Sequence, residues 1–191
     1  MTFEKFYQLI SESASVENDL TASSSNLVKL YHGTNSNNLK NILQNGLISN
    51  PPRRTHQIQH RGDVRSNWVY VTRNKTKAFN AALPFFQDAR QYEAWGDPVL
   101  IVLEINPEQS ILELEKEMEN SSEKGRKFLS KYIQGIKNGN YDELTFDRIP
   151  LDNFKGIAVY EKKTKSVQVV YGSINSKTRK DMARYFNERQ Y

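Results

Sequence analysis

Three side chains in this sequence stand where a polar site could be assembled. His32 follows the apolar pair Leu30-Tyr31 and opens His32-Gly33-Thr34; Tyr70 lies between Val69 and Val71; Glu143 opens the alternating stretch Glu143-Leu144-Thr145-Phe146. An imidazole, a phenol and a carboxylate can hydrogen-bond a polar ligand, stack on it and meet its charge. Taken singly, each has an ordinary structural use. A histidine at a strand end is usually a satisfied core group, a tyrosine between valines a core aromatic, and a glutamate opening an alternating strand a solvated edge residue. Their order gives them more weight, because each falls on a different short strand and the first two strands are each followed by a helical pattern. Cysteine is absent, which excludes a thiol nucleophile, a thiolate zinc site and a disulfide framework.

The elements that must position these groups follow from periodicity. Leu27 to Tyr31 is predicted as a strand that ends in a polar turn at His32-Gly33-Thr34. A helix from about Ser36 to Asn45 follows, with Leu39, Ile42 and Leu43 on one face and Gly46 as its stop. Trp68 to Thr72 is a second strand, leading to a helix that holds Ala78, Phe79 and Ala82. Pro98 to Ile105 is an almost continuous apolar run, the pattern of a strand buried on both faces. Ile111 to Lys137 is charged and helix-favouring, with Phe128, Leu129, Tyr132, Ile133 and Ile136 on one side. Glu143 to Arg148 alternates as a strand, and Ile157–Tyr160 and Val167–Tyr171 are two more, turned at Lys162-Lys163. A basic helix from about Ser176 to Glu188 closes the pattern. Between the first helix and the second strand, Pro51 to Asn67 reads as a long loop with Arg53, Arg54, His60, Arg61 and Arg65.

Upstream, Phe3, Phe6, Tyr7, Leu9 and Ile10 have helical spacing, so 1–12 reads as a short amphipathic tether. Residues 13–26 are polar and Ser-rich, as in a linker, which leaves 27–191 as one compact domain. Of the 191 residues 37% are hydrophobic, and the mean hydropathy is −0.73. No apolar run approaches the ~18–20 residues of a membrane span, and no basic-then-apolar leader opens the chain. A soluble, cytoplasmic, monomeric protein is expected, with no membrane partner. The formal charge of +5 favours acidic partners, whether a dinucleotide, a nucleic acid or an acidic protein face.

His-Gly-Thr after an apolar strand, Tyr-Val-Thr in a second strand with Ala78 on the helix behind it, and Glu143 opening a later strand together resemble the His-Tyr-Glu subgroup of ADP-ribosyltransferases. Diphtheria toxin and the poly(ADP-ribose) polymerases belong to that subgroup. The resemblance spans roughly Leu30 to Ile157 and rests on about a dozen positions. It implies an α+β fold with two facing, mostly antiparallel sheets split around an NAD cleft and helices on the flanks. It implies NAD as a consumed co-substrate, with no bound cofactor and no metal. By the same resemblance Glu143 is the catalytic carboxylate, stabilising oxocarbenium character as the nicotinamide–ribose bond breaks. Asp142 is the neighbouring candidate, one residue of slip away and therefore on the opposite face. His32 would bond a ribose hydroxyl of the adenosine half, and the Gly33 backbone would hold the nicotinamide carboxamide. Tyr70 would stack on the nicotinamide ring, with Thr34 and Thr72 as supporting donors.

This sequence departs from the subgroup in two places. The second stacking tyrosine of toxin-like members falls here at Ala81, so Phe79, Phe85 or Phe86 would have to supply the ring. Two residues before Glu143 stands Tyr141, where the arginine-modifying branch keeps an acid or amide. The Arg53–Arg65 loop occupies the place of the family's lid, and Arg53 and Arg54 could meet the pyrophosphate. The expected activity is NAD-dependent mono-ADP-ribosyl transfer to a macromolecular acceptor, an acidic protein or a nucleic acid. The alternatives are an NAD-dependent RNA 2′-phosphotransferase on a related fold, and an inactive binding or virion-associated module. The opening residues also resemble those of some tailed-phage proteins, which suggests a phage origin and action inside a host cell. No Gly-x-Gly-x-x-Gly follows a strand, so a Rossmann site is not expected.

Overall fold

The computed structural model describes residues 26–48, 68–83 and 94–188. The expected N-terminal helix, nearly all of the linker, the basic loop with Arg53 and Arg54, and Phe85 and Phe86 lie outside the described residues. The strands are β1 (Val28–Asn35), β2 (Leu47–Ile48), β3 (Val69–Thr72), β4 (Pro98–Ile105), β5 (Glu143–Phe146), β6 (Arg148–Ile149), β7 (Phe154–Glu161) and β8 (Ser166–Gly172). The α-helices are α1 (Leu39–Asn45), α2 (Lys75–Ala81), α3 (Pro107–Glu119), α4 (Glu123–Lys137) and α5 (Ser176–Glu188). The fold is α+β. Among the described residues no helix is long and apolar enough to cross a membrane.

One six-stranded sheet runs in the order β5-β3-β1-β4-β7-β8 with every neighbouring pair antiparallel, and β2 pairs β6 in a separate two-stranded ribbon. Two facing, mostly antiparallel sheets were expected; among the described residues the second one amounts to this ribbon. The central strand β4 explains the apolar run: its alternate side chains enter two different cores. Val99, Ile101 and Leu103 face a core completed by α1, α3 and α4, with Ile42, Leu114, Leu129 and Ile133. Leu100 and Val102 face a second core under α2 and α5, with Ala78, Phe79, Met182 and Phe186. Helices on both faces leave Val99 to Leu103 no solvent side, and the first charged residue, Glu104, comes near the end of the strand, where it is partly exposed and pairs with Lys155 at 3.0 Å.

Local signals set the helix limits. Asn74 begins α2 by accepting from the amides of Thr76 and Lys77, at 2.9 and 3.2 Å. Asn106 caps α3, which carries Pro107 in its first turn, and Ser122 caps α4. The charged stretch expected as one helical region is therefore two helices, broken at Asn120-Ser121. The helix α4 stops in a Schellman turn: Gly139, at φ +71°, donates to Ile136 O, and the Asn140 amide reaches back to Gly135 O at 2.8 Å. That turn aims the chain toward β5.

Candidate active site

The cleft arises where the large sheet comes apart. Strand β1 pairs β4 along its full length, from Val28↔Ile105 to Asn35↔Pro98, yet it meets β3 at a single pair, Tyr31↔Thr72. Beyond that pair the two strands diverge, and residues 31–34 of β1 and, across from them, Trp68 and residues 69–72 of β3 line a cavity of about 400 Å³. Small-molecule sites fall in this size range. Asn41 and Ile42 of α1, Leu47 and Ile48 of β2, and Lys77, Ala78 and Ala81 of α2 complete it, with Glu143 at one end. His32, Gly33, Thr34, Tyr70, Thr72 and Glu143 thus share one cavity.

His32 differs from expectation in its setting: β1 does not end before it but continues to Asn35, held by β4 throughout. The half-buried imidazole bridges the divergence, with Nδ1 2.9 Å from the Tyr70 carbonyl. A carbonyl only accepts, so Nδ1 carries the hydrogen, and the neutral ring keeps an acceptor lone pair on Nε2. Burial lowers the His32 pKa from its ordinary value, against the smaller raising effect of that carbonyl. The site therefore offers a neutral imidazole at pH 7, suited to accept from a ligand hydroxyl. Across the gap Val69 and Val71 enter the core, while Tyr70 alternates to the α2 side, half-buried against the cavity.

Gly33 has a structural requirement that the sequence did not reveal. A Cβ there would lie 1.7 Å from the Ala78 carbonyl oxygen and 3.0 Å from the Ala82 amide nitrogen. Only glycine lets α2 pack this tightly on β1. Thr34 and Thr72 are buried and engaged within the protein: Thr34 Oγ1 accepts from Asn38 at 3.0 Å, and Thr72 Oγ1 donates to the Asp142 carbonyl at 3.0 Å.

Glu143 begins the edge strand β5, directly opposite Thr72. Its carboxylate is 32% exposed and lines the cavity, whereas that of Asp142 is 73% exposed and does not. Of the two carboxylates, Glu143 is therefore the one that a ligand in the cavity would meet. Lys77 joins both, its Nζ 3.2 Å from Glu143 Oε1 and 3.3 Å from Asp142 Oδ2. Hydrogen bonds and charge from Glu143, then from Asp142, raise the Lys77 pKa. Beneath, the Tyr132 hydroxyl donates to the Glu143 carbonyl at 2.5 Å. Sequence reasoning did not single out Lys77. The available signal was its place one residue before Ala78 and four before Ala81, on the cavity side of α2.

Phe79 does not supply a stacking ring. It is 2% exposed and packs in the second core, with ring centroids 5.1 Å from Tyr185 and 5.6 Å from Phe186. Ala78, one helical step of about 100° away, belongs to the same core but also lines the cavity, which Phe79 does not. Ala81, at the place of the second tyrosine, lines the cavity as a methyl group. No family model matches this chain, and neither curated proteins nor solved structures yield a significant match.

Proposed function

We propose that this protein adopts the ADP-ribosyltransferase fold and acts as an NAD-dependent mono-ADP-ribosyltransferase. The observation that carries this reading is the convergence of His32, Tyr70 and Glu143 on one cavity at the β1/β3 divergence. NAD lies along that divergence. His32 Nε2 accepts from a ribose hydroxyl of the adenosine half, the Gly33 backbone meets the carboxamide, and Tyr70 stacks on the nicotinamide ring. The bond between nicotinamide N1 and ribose C1′ breaks, and its electron pair leaves with neutral nicotinamide. The Glu143 carboxylate, held by Lys77, stabilises the positive charge growing on the sugar. A nucleophile on the acceptor then bonds to C1′ and loses its proton to Glu143 or to water. The acceptor is an acidic protein or nucleic acid, and one ADP-ribose is transferred per site.

Isothermal titration with a non-hydrolysable NAD analogue, together with labelling of lysate by radioactive NAD, tests this. Glu143→Gln is expected to keep analogue affinity within a few-fold while transfer falls by about 10²–10³. His32→Ala is expected to weaken binding itself. No binding at millimolar analogue by folded protein would defeat the proposal. Ala81 favours a second reading, a module that binds on this fold without turnover, because no second ring faces the cavity from α2. Analogue binding without label transfer from the unmodified protein would select it.

A further inference from the structure

We propose that Arg73 is a positioning residue for Glu143, a role that rests on the assignment of Glu143 as the catalytic carboxylate. Arg73 follows β3 directly and reaches across to residues 139–142, the stretch that delivers the chain into β5. Its amide donates to the Asp142 carbonyl at 2.9 Å. One terminal nitrogen, Nη1, donates to the Gly139 carbonyl at 3.3 Å, and the other, Nη2, to the Tyr141 hydroxyl at 2.6 Å. The guanidinium also lies over the Tyr141 ring, 3.9 Å from its centroid. Thr72 adds a second bond to the Asp142 carbonyl.

The described partners of this guanidinium are a carbonyl, a hydroxyl and an aromatic face, with no carboxylate among them. The guanidinium therefore grips the main chain at Gly139 and the side chain of Tyr141, both neutral groups. Arginine suits this because a planar fork can donate in two directions while its face stacks on a ring; lysine cannot do both. The Schellman turn of α4 presents the Gly139 carbonyl, and Arg73 and Thr72 fix the Asp142 carbonyl. Tyr132 holds the Glu143 carbonyl, so main chain is fixed on both sides of the Cα that carries the carboxylate. Residues 138–140 are Asn-Gly-Asn, a composition with little side chain to hold it in place, and the clamp makes this approach to β5 a fixed one. A displacement near 1 Å at such a group costs on the order of 10²-fold in rate.

Two measurements on the full chain test the role, using Arg73→Ala, Arg73→Lys and Tyr141→Phe. Amide hydrogen exchange across 139–143 is expected to quicken about tenfold or more in Arg73→Ala, with the melting temperature nearly unchanged because Arg73 is exposed. Unchanged exchange there would overturn the clamp whether or not the protein turns over. In steady-state kinetics, Arg73→Ala is expected to lower kcat by about 10- to 100-fold while KM for NAD stays within about threefold. Arg73→Lys and Tyr141→Phe should fall between it and the unmodified protein. An unchanged kcat, or a loss confined to KM, would overturn the positioning role. If the unmodified protein consumes no NAD, the reading of Glu143 fails, and exchange alone decides the clamp.

Discussion

At the scale of single residues, the neutral histidine and the paired carboxylate make separate claims. Burial holds the His32 pKa below its ordinary value, so the folded protein resists charging the ring. The unfolded chain takes up that proton near pH 6.5. The group's contribution to stability is therefore complete above pH 6.5 and is lost as pH falls through the depressed folded value. Urea unfolding at pH 7 and pH 5 should show the unmodified protein losing more stability than His32→Gln over that interval. Equal losses would mean that the ring is solvated and charges freely. The placement of His32, Tyr70 and Glu143 on three separate strands was legible in the sequence, because each lies in its own short apolar or alternating run. Their partners were not, since Lys77 meets Glu143 across 66 residues and Arg73 meets Tyr141 across 68. No local period encodes such a pairing.

At the scale of elements, the cavity depends on how closely α2 lies on β1. Gly33 sets that distance, because the Ala78 carbonyl occupies the space a side chain would need. Gly33→Ala must push back helix backbone, which cannot rotate aside as a side chain can, and overpacking of this kind costs about 1–3 kcal/mol or more. Chemical denaturation should show a loss at the upper end of that range. The same shift would withdraw Lys77 from Glu143, so the variant should lose activity beyond what its folded fraction explains. A fully stable Gly33→Ala would show that α2 can move without cost. Strand β4 and helix α5 were read from sequence with their full limits, since a long apolar run and a strong helical face are both local signals. The course of β1 through His32 to Asn35 was not, because its polar residues look like a turn until β4 pairs with them. Phe79 was misplaced for a related reason: the side-chain direction around a short helix decides whether a ring meets the cavity, and the ring of Phe79 packs against Tyr185 and Phe186.

At the scale of the whole molecule, part of the positive charge is concentrated at one helix end. Helix α5 carries Lys177, Arg179 and Lys180 in and just beyond its first turn, all exposed, with no acidic residue in that turn. This arrangement opposes the helix dipole and costs about 0.3–1 kcal/mol for each misplaced charge. The buried side of the helix, with Thr178, Met182 and Phe186, gains nothing from these residues. A polyanionic acceptor would offset the cost. The helix packs on α2 through Phe79, Tyr185 and Phe186 and through the Lys75–Asp181 ion pair, and α2 carries Lys77 into the cavity wall. An acceptor lying on α5 would thus be one helix away from Glu143, the carboxylate of the proposed reaction. Binding through phosphates releases counterions, with a salt slope near −0.9 per contact on duplex and about −0.7 on single strands. Reversing Lys177, Arg179 and Lys180 to Glu should therefore flatten the salt dependence of labelling by about 2 to 3 in slope. NAD-analogue affinity should stay unchanged, and the fold should be slightly more stable because the new charges agree with the dipole. Nuclease or protease treatment of labelled lysate identifies the polymer that carries the label. Identical labelling and identical salt slope in the reversed variant would remove α5 from acceptor binding.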